Sequence, residues 1–449
     1  MTVDILCKVV DNFGDIGAVY RLAKALSALD PSLKLRLSVD NLAAFKALEP
    51  AVDADAEAQA LHGWELLRWG ADWPGFRSDP PRLALECFAC GRPEPLEEAL
   101  FAPDRQDVRH IVNIEYLSAE GYADELHLMP SATRSPRVKK HIFMPGFTPA
   151  TGGLIIDPDF SRAMAVWDQA KAAGREALAR AREALTGRLG LGPGLGSGRA
   201  TGALGPRDEP AGLASRFWLP IFSYERDYGP FVAQAARFAA GEPLAVLAAA
   251  GRSQACLVDA WERAGRPFPL VALPFLKQED WDQILCASDA ALVRGEESLA
   301  RAALAGLPFL WHAYLQEGGH HQVKVAALCD RLAPYFKSAE AAALGACFRA
   351  LNEREADGPA AGGGEDIGAF LKIARREAFR TPAEQVSPPA AQASPAAVGR
   401  SGAASIQASP AAEPAIPAAG RGGYAAFGRA LRDNGDLALR LLTFLRALV

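Results

Sequence analysis

Short apolar runs alternate with stretches whose apolar residues recur at helical spacing through the first part of this chain. Val3 to Val9 reads as a strand, with a helix opening near Gly17 and running over Val19 to Leu29. Lys34 to Val39 reads as a second strand and Leu42 to Leu48 as helical; Leu83 to Ala89 and His110 to Tyr116 are further strands. Strands interleaved with helices imply βαβ units and a mostly parallel sheet. A helical segment rich in Ala, Arg and Glu starts near Asp159 or Ser161, runs to about Leu185, and is placed to bridge two domains. The pattern then lapses over 186–214, where Gly and Pro predominate, as expected of a flexible insert or linker.

From Arg216 the alternation resumes. Phe217 to Phe222, Leu244 to Ala248, Leu270 to Leu273, Ala290 to Val293 and Pro308 to His312 supply strands of a second α/β unit. Residues 381–423, dominated by Ala, Pro and Ser, lack the apolar content to fold and are expected to be disordered. Helical spacing returns over Tyr424 to Arg432; Asn434-Gly435 breaks it, and Asp436 is placed to cap a last helix reaching Leu448. The expected organisation is α/β throughout: a domain over 1–160, helix and insert over 161–214, a second domain over 215–375, an insert over 381–423, and helices over 424–449 that pack back on a domain.

Composition narrows the field. A chain of 449 residues exceeds what one hydrophobic core usually supports. A formal net charge of −5 gives no support to nucleic-acid binding, which calls for a basic excess. No apolar run is long enough to span a bilayer, and no basic region followed by a small-residue cleavage site opens the chain, so a cytoplasmic location is expected. Seven cysteines argue against a disulfide framework. Cys87 and Cys90 form a lone CxxC at a strand end, and buried, inert thiols are expected there. His320 and His321 are adjacent and would point apart on a helix, so no shared metal is expected. Asp53-Ala54-Asp55 and Asp157-Pro158-Asp159 match the short DxD pattern by chance, and the reading calls for no metal.

Candidate chemistry concentrates at two strand ends. The loop Val10-Asp11-Asn12-Phe13-Gly14-Asp15-Ile16-Gly17 leaves the first strand, where an open α/β sheet has its ligand crevice. It carries two carboxylates, Asp11 and Asp15, where a phosphate cradle would have glycines and cations. Such acids suit proton removal or the grip of a cation, or they simply cap the helix. The second constellation is Arg294-Gly295-Glu296-Glu297-Ser298, in which a strand meets a tight loop at Gly295 and a helix begins at Glu297 or Ser298. Free N–H groups and the Ser298 hydroxyl attract phosphate, and Arg294 adds a cation. Aromatics close other strand ends: Phe222 and Tyr224 after one, Phe275 and Trp281 with Gln278 after another, suited to packing and reading a flat base. Neither a P-loop nor a GxGxxG is present, which disfavours an NTPase or a dehydrogenase.

These two motifs, together with Asn113-Ile114-Glu115-Tyr116-Leu117-Ser118-Ala119-Glu120 and Met144-Pro145-Gly146-Phe147-Thr148-Pro149-Ala150-Thr151-Gly152-Gly153, resemble the bacterial protein-arginine rhamnosyltransferases that mature translation elongation factor P. The resemblance spans the chain outside the two inserts. It implies a GT-B glycosyltransferase, two Rossmann-like domains facing across a cleft, the first for the acceptor and the second for the nucleotide sugar. The donor would be dTDP-β-L-rhamnose, a substrate rather than a cofactor, the acceptor an arginine of elongation factor P, and the reaction inverting. By the same resemblance Asp11 and Asp15 are the acids of the first domain, Asp15 the better general base, and Glu296 an essential acid of the donor side. Phe275 and Trp281 match base-packing aromatics, Gln278 and Tyr224 nucleoside contacts, and Ser298 a diphosphate contact. Asn12, Phe13, Gly14, Gly17, Phe222, Arg294, Gly295 and Glu297 complete the expected substrate-binding set. Glu297 departs from the family pattern, which has Asp there. The residues themselves leave open another nucleotide sugar or acceptor, or a non-catalytic nucleotide-sugar-binding protein.

Overall fold

A computed structural model describes residues 1–10, 13–191, 212–315, 317–353, 363–378 and 422–449. Its first sheet contains β1 (Thr2–Cys7), β2 (Lys34–Val39), β3 (Ala58–Leu61), β4 (Trp64–Arg68), β5 (Leu83–Cys87), β6 (Arg109–Ile114), β7 (Pro130–Ser131) and β8 (Val138–Phe143), in the order β3-β4-β2-β1-β5-β6-β8-β7. The inner strands are parallel, as the alternation implies; only the edges β3 and β7 run antiparallel to their neighbours. The hairpin joining β3 to β4 escaped the sequence reading, because β3 is short and mostly half-exposed and so carries no apolar run. Its turn is made by His62 and Gly63, both at positive φ (52° and 83°), a geometry that matches strand twist.

The second sheet is all parallel: β9 (Phe217–Ile221), β10 (Leu244–Ala248), β11 (Leu270–Ala272), β12 (Ala291–Arg294) and β13 (Phe309–His312), ordered β11-β10-β9-β12-β13. In each sheet the winding direction reverses beside one strand, between β1 and β5 in the first and between β9 and β12 in the second. Open α/β sheets bind ligands outside the carboxyl ends of the strands at such reversals. The loops after β1, β5, β9 and β12 are therefore the ones the topology singles out.

The helix expected from about Asp159 to Leu185 is two helices, Pro158–Ala172 and Arg175–Arg188, parted at Gly174, whose φ of 99° no helix accommodates. Both join the second lobe, with Phe160, Trp167 and Leu185 in the core built around β9–β13. Buried Arg182 ties the later helix down by donating to Ala287 O (2.6 Å), Arg216 O (2.8 Å) and Asp289 (2.7 Å). The C-terminal helices divide between the lobes. Tyr424, Phe427 and Leu431 of Gly423–Asp433 enter the second core, whereas Leu437, Leu441 and Leu445 of Leu437–Leu448 enter the first. Asp436 caps the last helix as expected, accepting from Ala438 N and Leu439 N, and also accepts from Ile156 N (2.8 Å). The inserts expected at 186–214 and 381–423 fall largely on residues 192–211 and 381–421, outside the described residues.

Cys7 and Cys87 are buried, and burial pushes their thiols far above the usual range; Cys90, expected to be buried too, is only half-buried because it lies past the end of β5, and its thiol is pushed up to about 12 by burial and then by the Glu86 charge. His320 is exposed while buried His321 lies 3.1 Å from Asn352 O, so the two rings do part. Among the described residues no group of three or more His, Cys, Asp or Glu is arranged to hold a metal ion, and no helix is long and apolar enough to cross a membrane.

Candidate active site between the lobes

The first crevice is built by the loop after β1 and the start of the helix Gly14–Leu29. Asp11 and Asn12 lie outside the described residues. Phe13 occupies the N-cap without a capping side-chain bond, and exposed Gly14 is the first helical residue. Asp15 is therefore inside the first turn rather than a cap. It is buried, its Oδ2 accepts the Val10 N–H at 2.7 Å, and burial followed by its charge pushes the Tyr116 phenol up. A carboxylate in a helical first turn also gains from the positive end of the helix dipole.

The second crevice is built by β12 and the helix Gly295–Leu304. The helix starts directly at Gly295 (φ 65°), two residues before the expected start, so no separate loop intervenes. Glu296, Glu297 and Ser298 consequently all fall in its first turn, where backbone N–H groups lack intrahelical partners. The Arg294 guanidinium lies 4.6 Å from both the Phe222 and the Tyr224 ring centroids, over their faces, rather than on any carboxylate among the described residues. Trp281 packs edge-on against Phe222 (5.7 Å) and donates its indole N–H to Ser298 Oγ at 3.3 Å. Phe275 is half exposed and meets Phe13 of the other lobe, centroids 5.4 Å apart. Phe275 and Trp281 thus sit against different partners.

Contacts across the cleft join the two crevices. Glu296 Oε2 accepts the Leu117 N–H at 2.7 Å, which brings the second lobe's acid to the residue after Tyr116. Gln278 donates to Gly17 O at 3.0 Å, and a Cβ on Gly17 would stand 3.1 Å from Gln278 Nε2, so only glycine permits this approach without a shift. Glu297 faces neither crevice freely: its carboxylate pairs with Arg21 and, at 3.1 Å, with Arg301. Beside it Arg21 pairs with Asp157 (2.8 Å) and Asp282 (2.9 Å), and Arg301 donates to Ile155 O (2.5 Å). Burial lifts the Asp282 carboxyl to about 6 despite its guanidinium neighbours, while the charges of Arg21 and Arg301 overcome burial to hold Asp157 low. A cavity of about 70 Å³ lies against this junction, lined by Glu115, Leu117, Glu296 and Glu297 among others. A larger one, about 680 Å³, lies on the outside of the second lobe, where Arg375 and Arg376 are already paired with Glu242 and Glu340. Its volume exceeds that of the cleft cavity, but no site residue lines it.

Tyr116, Arg21, Asp157, Asp282 and Arg301 escaped the sequence reading as site or junction residues. Tyr116 had a signal, an aromatic beside an acid at a strand's carboxyl end. Arg21 had none: it lies off the apolar stripe of Val19, Leu22 and Leu26, on the helix face it shares with Gly17 and Lys24, where a cation reads as solvated. Asp157, in the sequence half of a chance DxD, caps Pro158–Ala172 through Phe160 N and pairs with Arg21.

The model of the family described as "Elongation-Factor P (EF-P) rhamnosyltransferase EarP" matches residues 3–363. The chain belongs to the EarP family. Curated relatives named protein-arginine rhamnosyltransferase include one from Pseudomonas putida, 34% identical over 78% of this chain and 86% of the relative, and one from Pseudomonas aeruginosa, 32% identical over 85% and 94%. A solved structure reported as the structural basis for EarP-mediated arginine glycosylation of EF-P aligns over 100% of this chain and 99% of its own, with a TM-score of 0.53 at 22% identity. The fold is GT-B and the chain is a protein-arginine rhamnosyltransferase. In this EarP-family chain the crevices at the two sheet reversals are joined by contacts between the lobes.

Proposed function

We propose that this enzyme takes its sugar from dTDP-β-L-rhamnose and transfers it, with inversion at the anomeric carbon, to an arginine of translation elongation factor P. The observation that carries this reading is a buried acid, Asp15, in the first turn after β1 of one lobe, with Glu296 of the other lobe reaching across to the Leu117 N–H that follows β6. Guanidinium is a poor nucleophile, protonated with a pKa above about 12 and with its lone pairs delocalised. Full deprotonation in advance is too costly near neutral pH. Asp15, with Asp11, orients the guanidinium and accepts its proton as the new carbon–nitrogen bond forms, so positioning and charge complementarity carry much of the rate.

On the donor side the first turn of Gly295–Leu304, with Ser298 and Arg294, stabilises the departing diphosphate. Phe275 and Trp281 pack the base, and Tyr224, Phe222 and Gln278 border the nucleoside. The acidic first crevice favours a cationic acceptor, and the absence of an apolar spanning helix among the described residues gives no reason to invoke a lipid-linked one. Incubating the chain with dTDP-rhamnose and elongation factor P, then weighing the latter intact, should show the gain of one deoxyhexosyl group, and NMR of the product should show the α-anomer. Transfer from UDP- or GDP-sugars but not from dTDP-rhamnose would displace the donor assignment, and a β-linked product would displace inversion.

A further inference from the structure

Buried Arg36 serves its own lobe, gripping Asp4 of the neighbouring strand through two bonds of 2.7 Å. Arg21, buried in the same lobe, turns outward from it. Its Nη1 donates to Asp157 (2.8 Å) and to Asp282 Oδ2 (2.9 Å), its Nη2 donates to Asp282 Oδ1 (3.3 Å), and its Nε edge pairs with Glu297. These acids stand on three helices of the second lobe: Asp157 caps Pro158–Ala172, Asp282 lies in Gln278–Ala287, and Glu297 lies in the first turn of Gly295–Leu304. Gly17, Arg21 and Lys24 fall at i, i+4 and i+7, on one stripe of the helix Gly14–Leu29. Each of them meets the second lobe, Gly17 O accepting from Gln278 and Lys24 pairing with Glu279. The stripe is a polar seam between the lobes.

We infer that Arg21 is a positioning residue for transfer: one guanidinium seated on Glu297, Asp282 and Asp157 sets the helical turn that carries Asp15 against the turn that carries Glu296 and Ser298. The inference rests on the roles given to those residues above. Asp15 precedes Arg21 by six residues of one helix, about 9 Å along its axis, so the seat of Arg21 fixes where that first turn stands. On the other side Glu297 lies between Glu296 and Ser298, and Trp281, next to Asp282, donates to Ser298 Oγ at 3.3 Å. A planar guanidinium meets carboxylates from several directions at fixed angles, which the point charge of a lysine on its flexible stem does not reproduce. Arg21→Lys therefore keeps the charge and removes the geometry.

The test is kinetics of Arg21→Lys with elongation factor P and dTDP-rhamnose, rates being counted per dTDP-binding site so that unfolded chains drop out. kcat should fall by about 10- to 100-fold, the cost of a misplacement of about 1 Å, with dTDP affinity and KM for the acceptor within about threefold of the parent. In an Asp15→Asn background the same substitution should cost less than about threefold, because a missing carboxylate cannot be misplaced. A merely structural role would make the two losses multiply. Multiplying losses, or a parental kcat in Arg21→Lys, overturn the inference. Glu297→Gln leaves Arg21 its two aspartates and repeats the cycle, with the same outcomes, should the lysine variant not fold. Hydrogen exchange reads the seam without turnover. In the variant the amides of Gly14–Leu29 and Gly295–Leu304 should exchange faster while those of β1 and β5 keep parental rates. Unchanged helices, or a rise shared by the strands, overturn the inference. A parent enzyme that leaves elongation factor P unmodified overturns the acceptor reading instead, and exchange then decides the seam.

Discussion

At the reversal between β1 and β5, the crevice presents Asp15 and the Tyr116–Phe88 pair; at the reversal between β9 and β12, it presents a helix N-terminus, Ser298 and a guanidinium lying on two rings. The two lobes share the same parallel-sheet device, and each places its working groups where that device opens. They differ in what they offer. The first crevice offers the buried Asp15 carboxylate; the second offers the N–H groups of a helix start and the Arg294 guanidinium, beside the acids Glu296 and Glu297. The contrast also explains Glu296: an acid in the donor-side first turn is out of place for phosphate but well placed to accept the Leu117 N–H of the acceptor wall.

The strongest way to break this contrast is at Asp15. Asp15→Asn should reduce transfer by about 10²- to 10⁴-fold, the usual worth of a positioned base, while titrated dTDP affinity stays at the parental value; parental turnover would remove the acid from the mechanism. The junction between the walls comes next. Arg21→Ala leaves Asp282, Asp157 and Glu297 short of a buried cation and should lower unfolding free energy in denaturant titration by about 3–5 kcal/mol. On the donor wall, Phe275→Ala should weaken dTDP binding in calorimetry by about 1–3 kcal/mol if the half-exposed ring stacks on a base, and leave it unchanged if the ring serves only Phe13.

The last effect is read through pH. Burial, followed by the Arg226 and Arg294 charges, depresses the His312 imidazole to about 3, so the folded state holds it neutral while the unfolded chain protonates near 6.5. Its contribution to stability is complete above that unfolded value and is lost as pH falls towards 3. His312→Asn cannot titrate, so the stability gap between parent and variant should narrow between pH 6.5 and 3.

Elements bounded by clear chemistry were legible. Lys34–Val39, Leu42–Leu48 and Leu244–Ala248 have the limits read from their apolar runs, and Asp436 caps the last helix where its side chain and the Asn434-Gly435 break indicate. The hairpin of β3 and β4 was not, because a half-exposed edge strand has no pattern to show. The break at Gly174 was hidden by good helix formers on both sides. The two acidic and phosphate-type motifs were visible because each lies within a handful of residues at a strand end. Nothing local marks the surroundings of Tyr116, because the charges near it, Asp15 and Glu296, lie far away in the chain.

The sequence by itself determined the two α/β lobes, the strand ends that carry chemistry, and the paired acids of one motif and the helix start of the other, because apolar periodicity and local turn chemistry are written within single elements. Only the tertiary structure decided which acids face each other, that Glu297 serves Arg21 and Arg301, and that Gln278 reaches Gly17. Those pairings join residues far apart in the chain, Arg21 and Asp282 being 261 positions distant, and their partners follow from how the lobes pack rather than from any local pattern.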